Sequence, residues 1–250
     1  MEIRILFRDP YLVAVSKPAG VLTHRGFGDP TLPMVQRLRR MLRHMVHPVH
    51  RLDRPTSGVL VFALDSVSAR RLNEQFRGGT VRKRYIALVR GIPPEFGVVD
   101  HPVPDRWGGE KQSARTHFVR HFHDSRYAVV EVGPRTGRRH QIRLHLKHMS
   151  CPIIGDVNYG DGRHNRLFRQ RYDLHRLALH AYALDLRHPR SGQRLHLTAP
   201  LPDDLVRGLA AWSSHSLSHL PAETRPRPLS ANAASTTCFA PGATSGRFTT

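Results

Sequence analysis

Cysteine is nearly absent: Cys151 and Cys238 are the only two in 250 residues. Neither a disulfide framework nor a four-cysteine zinc site is therefore available. Long apolar runs are missing as well. The longest, Val59–Leu64, falls far short of the roughly 20 residues a membrane-spanning helix needs. The opening MEIRILFRDP lacks the apolar stretch of a secretory leader. No GxxxxGK(S/T) or GxGxxG pattern offers a phosphate-binding glycine loop, and no HExxH pattern offers a zinc site. Acidic residues are scarce, 19 against 39 Lys and Arg, a net charge of +20. Lysine is scarcer still: Lys17, Lys83, Lys111 and Lys147 leave 35 arginines.

What is present is enough apolar residue, 39%, to bury a core, which argues against a disordered basic chain. An excess of +20 on a globular core costs stability through self-repulsion unless a polyanion relieves it. Arginine suits phosphate because its planar fork binds two oxygens and its face stacks on bases. The expectation is a cytoplasmic globular protein that binds nucleic acid, monomeric because no heptad or other interface signal is visible.

Composition changes near residue 212. Residues 213–250 are dominated by Ser, Ala, Thr and Pro without apolar periodicity, and are expected to form a disordered tail. The tail carries three arginines and one glutamate, a net +2, so +18 stays on residues 1–212.

Within 1–212, β-prone runs predict strands at Arg4–Phe7, Leu12–Ser16, Val59–Leu64, Val81–Val89, Tyr127–Val132 and Leu195–Leu197. The continuous run from Val59 fits a strand buried on both faces. Helical spacing predicts helices over Leu32–Met45 and over Ser66–Phe76, the second with Ser66 as its cap. Arg139–Met149 fits a helix, although its alternation also permits a strand. The fold class expected is α+β, built on a mainly antiparallel sheet with flanking helices.

Three segments concentrate reactive side chains. In His50-Arg51-Leu52-Asp53-Arg54-Pro55-Thr56-Ser57-Gly58, Pro55 and Gly58 mark a loop, and Asp53 lies between cations that favour an ionised carboxylate. Such a group serves as nucleophile or electrostatic stabiliser, or forms an ordinary surface ion pair. In Lys83-Arg84-Tyr85, alternation sends Lys83 and Tyr85 to one strand face and Arg84 to the other. Tyr85 is then either a stacking platform for a base or a plain strand tyrosine. In Thr136–His145, a helix places Arg139 and Arg143 on one face, positioned for phosphates, for the Asp53 loop or for solvent. The histidine groups 140/145/148 and 44/47/50 match no metal-ligand pattern.

In this order and separation, HRLDRPTSG, KRY and TGRRHQIR resemble the RluA-type pseudouridine synthases. Lys17-Pro18-Ala19-Gly20 resembles that family's N-terminal KPxG turn, and Cys151–Asp156 resembles the segment following its third motif. The resemblance covers about residues 3–210, and HRLDxxTSG is a highly specific string. It starts at the catalytic domain, so no preceding S4-type RNA-binding domain is expected. GDGRHNRLFRQRYDLHRLALHA, from residue 160, is most similar to the branch acting on uridine 65 of tRNA. Residues 92–126 are shorter than in some members, so substrate contacts are expected to differ there. Site choice depends on RNA shape, and ribosomal RNA is the other substrate, with a non-catalytic RNA-binding protein on the same scaffold as a further alternative.

The resemblance implies roles for four residues. Asp53 is the nucleophilic aspartate, and Arg51 enters the stack when the uridine flips out. Tyr85 stacks on the uracil and helps move a proton, and Arg143 pairs with the aspartate, with Arg54 nearby. It also implies neither metal nor organic cofactor. A glycosidase or nuclease working through Asp53 would need a second carboxylate, and no motif positions one.

Overall fold

The computed structural model describes residues 3–24, 31–105, 109–212 and 220–224. In chain order it runs β1 (Arg4–Arg8), β2 (Leu12–Lys17), α1 (Met34–Leu42), β3 (His47–Pro48), β4 (Ser57–Ala63), α2 (Ser66–Arg77) and β5 (Arg82–Arg90). There follow β6 (Phe96–Asp100), β7 (Val103–Pro104), β8 (Lys111–Gln112), β9 (Arg115–His123), β10 (Tyr127–Pro134), α3 (Gln141–His148) and α4 (Gly162–Tyr172). The last elements are β11 (Leu179–Arg187), β12 (Arg194–Thr198) and α5 (Asp203–Trp212).

One twisted sheet dominates, in the order β1-β2-β4-β11-β5-β10-β9-β6, with β12 added to β11 and β3 to β4. Among the described strands every pairing is antiparallel except β4 with β11, where Ser57 faces His180 and Gly58 faces Ala181. This parallel contact sits directly after the Asp53 loop. Gly58 has φ +123°, and a Cβ there would overlap the Ala181 carbonyl, so only glycine lets the two backbones approach this closely.

β4 is buried along its whole length. Leu60 and Phe62 enter the larger core cluster with Met34 and Leu38 of α1, Ile142 and Leu146 of α3, Phe168 of α4 and Leu205 of α5. Val59, Val61 and Ala63 enter a second cluster with Leu72 of α2 and Leu197 of β12. The unbroken apolar run is thus explained by cover on both faces.

The expected strands are all present, with ends moved by a residue or two. α1 is shorter than its sequence pattern: Arg43, with φ 50°, turns the chain out of the helix, and Met45 is left exposed. α2 is capped by Asp65 rather than Ser66. The Asp65 carboxylate accepts the Ser68 N–H at 2.8 Å and the Ser68 hydroxyl at 2.6 Å, satisfying an otherwise unpaired helix donor. Of residues 139–149, Gln141–His148 form the helix, with Ile142 and Leu146, four apart, on its buried face; Arg139 lies in the turn before it, ahead of a left-handed His140, and so does not share a helix face with Arg143 as the spacing predicts.

Residues 220–224 depart from the expected tail. Leu220 and Thr224 are buried, the Leu201 N–H donates to the Thr224 carbonyl at 2.9 Å, and Glu223 lies 3.8 Å from Arg84. One leucine and a 3₁₀ turn suffice to dock this stretch against β11. The rest of the expected tail, 213–219 and 225–250, lies outside the described residues.

Candidate active site

A cleft of about 580 Å³ opens where the β4 loop, β5 and the start of α3 converge. Asp53, Arg51, Tyr85 and Arg143 all line it, so the four sequence-predicted residues meet in one place.

The Asp53 loop is built from three sides. Within it, the Thr56 N–H donates to the Asp53 carbonyl at 3.1 Å. From outside, Thr23 exchanges two hydrogen bonds of 3.2 Å with the Leu52 backbone. The KPAG turn holds the far end: Gly20 N–H donates to the Arg54 carbonyl at 2.8 Å, and Arg54 Nε returns a bond to the Gly20 carbonyl at 3.1 Å. Gly20 takes φ 83° to close this turn. Lys17 is fully buried, its ammonium donating to the carbonyls of Pro18, Val21 and Arg54. Burial, helped by the Arg176 charge, pushes its pKa down to about 7 against the pull of Asp53.

Behind the loop, Ser57 Oγ lies 2.7 Å from His180 Nδ1 and accepts from Arg176 at 2.5 Å. His180 Nε2 meets the Ala199 carbonyl at 3.0 Å. His50, stacked on Phe76 at 4.5 Å, accepts the Val61 N–H at Nε2. Burial pushes His50 down to about 3 and His180 to about 4. Since both lie below the ordinary value of 6.5, the unfolded chain takes up these protons first as pH falls. Stability contributed by the neutral rings is complete above about pH 6.5 and is lost toward pH 4, by up to ~2.7 kcal/mol per pH unit for the pair. Urea midpoints measured between pH 7.5 and 4.5 should fall accordingly, and a flat profile would contradict this assignment.

The opposite wall is the turn before α3. Gln141 is buried and uses its whole amide: its oxygen accepts from the Thr136 hydroxyl and the Arg138 N–H, and its nitrogen donates to the Arg115 carbonyl and Thr116 Oγ1. Lys83 Nζ donates to the Thr136 carbonyl at 2.8 Å, and burial lowers its pKa to about 8. As alternation predicts, Lys83 and Tyr85 line the cleft, while Arg84 reaches Asp185 at 3.3 Å on the other face.

Arg143 joins the two walls. Its Nε and Nη2 make a bidentate pair with Asp156 at 2.7 and 2.8 Å, and its Nη1 lies 3.4 Å from Asp53 Oδ2. The guanidinium is buried, and its face lies over the Tyr159 ring at 4.9 Å. The stronger partner is therefore Asp156, whose Oδ1 also accepts the N–H groups of Asn158 and Tyr159. Tyr85 is buried, and burial with the nearby Asp53 charge drives its phenol well above the ordinary value. Arg51 is exposed while lining the cleft. Arg54, expected beside Asp53, has its guanidinium on the Gly20 carbonyl instead.

Three residues of the site were not singled out as functional from the sequence. Asp156 is the first acid after Glu131 in a very basic stretch, which is the signal that would have found it. His140 lies 4.0 Å from Asp53 Oδ2 and 2.8 Å from Tyr159 Oη; its signal is its place inside TGRRHQIR, whereas Tyr159 carries no signal of its own. Among the described residues no group of three or more His, Cys, Asp or Glu side chains is placed to hold a metal ion. None of the described helices is long and apolar enough to cross a membrane.

Seven cations line the cleft, Arg51, Arg77, Lys83, Arg135, Arg138, Arg139 and Arg143, against one carboxylate, Asp53. A polyanionic substrate and a single ionised acid fit this set.

Comparison with known proteins agrees. Residues 11–148 match the model of the RNA pseudouridylate synthase family. The chain is 39% identical over 226 residues to tRNA pseudouridine synthase C of Vibrio parahaemolyticus, covering 81% of this chain and 92% of the relative. It is 40% identical over 243 residues to the protein of that name from Pasteurella multocida, covering 87% and 100%. The solved structure of human RNA pseudouridylate synthase domain containing 4 superposes with a TM-score of 0.71 at 30% identity, covering 83% of this chain and 92% of that one. More than half of the chain matches the family model, and the matched span holds Asp53, Tyr85 and Arg143 in one cleft; the chain belongs to the RNA pseudouridylate synthase family.

Proposed function

We propose that this protein isomerises uridine to pseudouridine in tRNA, at position 65, acting as a cytoplasmic monomer. The observation that carries the chemistry is the lone carboxylate: among the described residues, Asp53 is the one acid lining a cleft otherwise rimmed by cations. Sugar hydrolysis usually takes two carboxylates. Isomerisation takes one, because the C1′–N1 bond breaks, the C1′–C5 bond forms and a proton moves from C5 to N1. No water is consumed and no oxidation state changes.

In this reading Asp53 acts at C1′, and Arg143 holds it in place from Asp156. Tyr85, protonated and buried, stacks on the uracil while it turns. Arg51, exposed in the cleft, fills the gap left by the flipped nucleotide. Unstacking costs a few kcal/mol, which phosphate contacts to the arginines around the cleft offset. The tRNA assignment is supported by the names of the relatives.

The test is to map pseudouridines in RNA from cells with and without this gene, and in a tRNA transcript treated with the purified protein. Loss and gain at uridine 65 of tRNA is the expected pair of results. A site lost from ribosomal RNA instead would overturn the substrate, and free uracil or strand scission would overturn the reaction.

A further inference from the structure

The reverse face of the sheet carries a hollow that the chemistry in the cleft does not use. It measures about 220 Å³ and is walled by Arg82 and Arg84 of β5, Glu131 of β10, and His117 and Val119 of β9. Gly133, opposite His117 in the register of β10 and β9, forms its floor. Glycine is a poor strand residue, and inside a strand it marks a bulge or the close approach of a ligand or another backbone. Pairing is regular at Gly133, so no bulge accounts for it. No neighbouring backbone does either: among the described residues, a Cβ there would meet nothing nearer than the Lys83 carbonyl at 3.5 Å, an ordinary contact. The space above Gly133 is left for something outside the chain.

Charge gives its chemistry. Continuing the pairing of Val132 with Tyr85 by three residues brings Arg135 opposite Arg82, and the Arg135 N–H donates to the Arg115 carbonyl at 2.9 Å. Arginines 82, 135 and 115, all exposed, thus form a row across adjacent strands, which lie roughly 4.8 Å apart. Among the described residues Arg82 and Arg135 have no acidic partner, and Arg115 has a loose one, Asp100 at 3.9 Å. The acids nearby are engaged elsewhere: Glu131 lies 3.3 Å from His121 Nε2, and Asp185 and Glu223 share Arg84. His117 adds a donor without a charge, since burial and the Arg135 and Arg115 cations hold its pKa below the ordinary value. Val119 and its cross-strand partner Phe96 are both exposed, an apolar margin on which a ribose or base can rest.

Position gives the partner. Lys83, Pro134 and Arg135 line this hollow and the catalytic cleft alike, so an RNA strand leaving the cleft over Arg135 meets the arginine row next. We infer that this reverse face is a second RNA-contact surface, where Arg82, Arg135 and Arg115 hold backbone phosphates beyond the target nucleotide and the hollow over Gly133 seats one nucleotide of that stretch. The inference rests on the RNA substrate proposed above and bears on affinity, not on the step at Asp53.

The experiment compares wild type, Arg82→Gln and Gly133→Val on two RNAs: a tRNA transcript, and a short hairpin holding only the target uridine with its flanking base pairs. Arg82→Gln is expected to raise Kd for tRNA by roughly tenfold, the worth of one charged hydrogen bond. The slope of log affinity against log salt should fall by about 0.9, one phosphate contact. Gly133→Val changes no charge and fills the hollow; it should weaken tRNA binding while the melting temperature holds or rises, because valine favours a strand. Hairpin Kd and the single-turnover rate at saturating RNA should stay at wild-type values in both variants. Unchanged tRNA affinity in both variants would overturn the proposal. So would an equal loss on the hairpin, which would reduce Arg82 to general attraction. A self-association of wild type that Gly133→Val abolishes, with RNA Kd unchanged, would give the face to a second copy of this chain instead. If wild type converts uridine in no RNA, the reading above is itself lost, a result seen before any variant is compared.

Discussion

Asp53→Asn is expected to lower pseudouridine formation by at least ~10⁴-fold, as loss of a nucleophile does in other covalent catalysts. Asparagine keeps the shape and one oxygen but cannot supply charge at C1′. The fold should tolerate it. Asp53 is held through its backbone carbonyl by Thr56 N–H, and its neighbours Leu52 and Arg54 are tied to Thr23 and Gly20 by hydrogen bonds that the substitution leaves alone. Arg143 keeps its bidentate partner Asp156. RNA affinity should hold or tighten slightly, because one negative charge leaves a cleft lined by seven cations. The check is tritium release from C5-labelled uridine in tRNA, beside filter binding and a melting curve. Retained turnover would remove Asp53 from the chemistry, whereas loss of binding in step with turnover would make it a binding residue.

The parts of this site that a sequence shows are those whose signal is local. A proline- and glycine-bounded loop running into an unbroken apolar strand marks Asp53 and β4, and two-residue alternation puts Lys83 with Tyr85. The supports are long-range and leave no periodic trace. β4 is paired in parallel with β11, whose Ser57–His180 contact joins residues 123 apart, and nothing around Leu179–Arg187 marks it as the partner. β9, RTHFVRHFH, breaks the two-residue alternation at Phe118-Val119 and Arg120-His121, where its pairing with β10 shifts register, so no clean period marks it as a strand. Arg54 stands beside Asp53 in the sequence and was expected beside its carboxylate. Its turn directs the side chain to the Gly20 carbonyl instead. Leu220 shows the converse error: one apolar residue in a polar stretch is invisible to composition, yet it is buried.

Arg143 carries the second large effect, and here catalysis and stability have to be separated. Arg143→Met leaves Asp156, a carboxylate only 1% exposed, with backbone donors from Asn158 and Tyr159 but without its cation. Breaking one side of a buried pair costs about 3–5 kcal/mol, so the single variant is expected to melt well below wild type and to lose turnover for two mixed reasons. The double variant Arg143→Met with Asp156→Asn separates them. An asparagine side-chain oxygen still accepts the N–H groups of Asn158 and Tyr159, and no unpaired charge remains, so most of the lost stability should return. Turnover should not. Nη1, the donor 3.4 Å from Asp53, is still missing, and removal of one preorganised donor from a reacting centre costs about 10²–10³-fold. Arg143→Lys should fall between the variants: it keeps the charge, but one ammonium cannot hold both oxygens of Asp156 and still reach Asp53. The measurements are melting curves and single-turnover rates for all three variants. A double variant that recovers both stability and turnover would show that Arg143 serves the fold alone. One that recovers stability and stays slow would place Arg143 in the catalytic set, acting through the position and charge of Asp53.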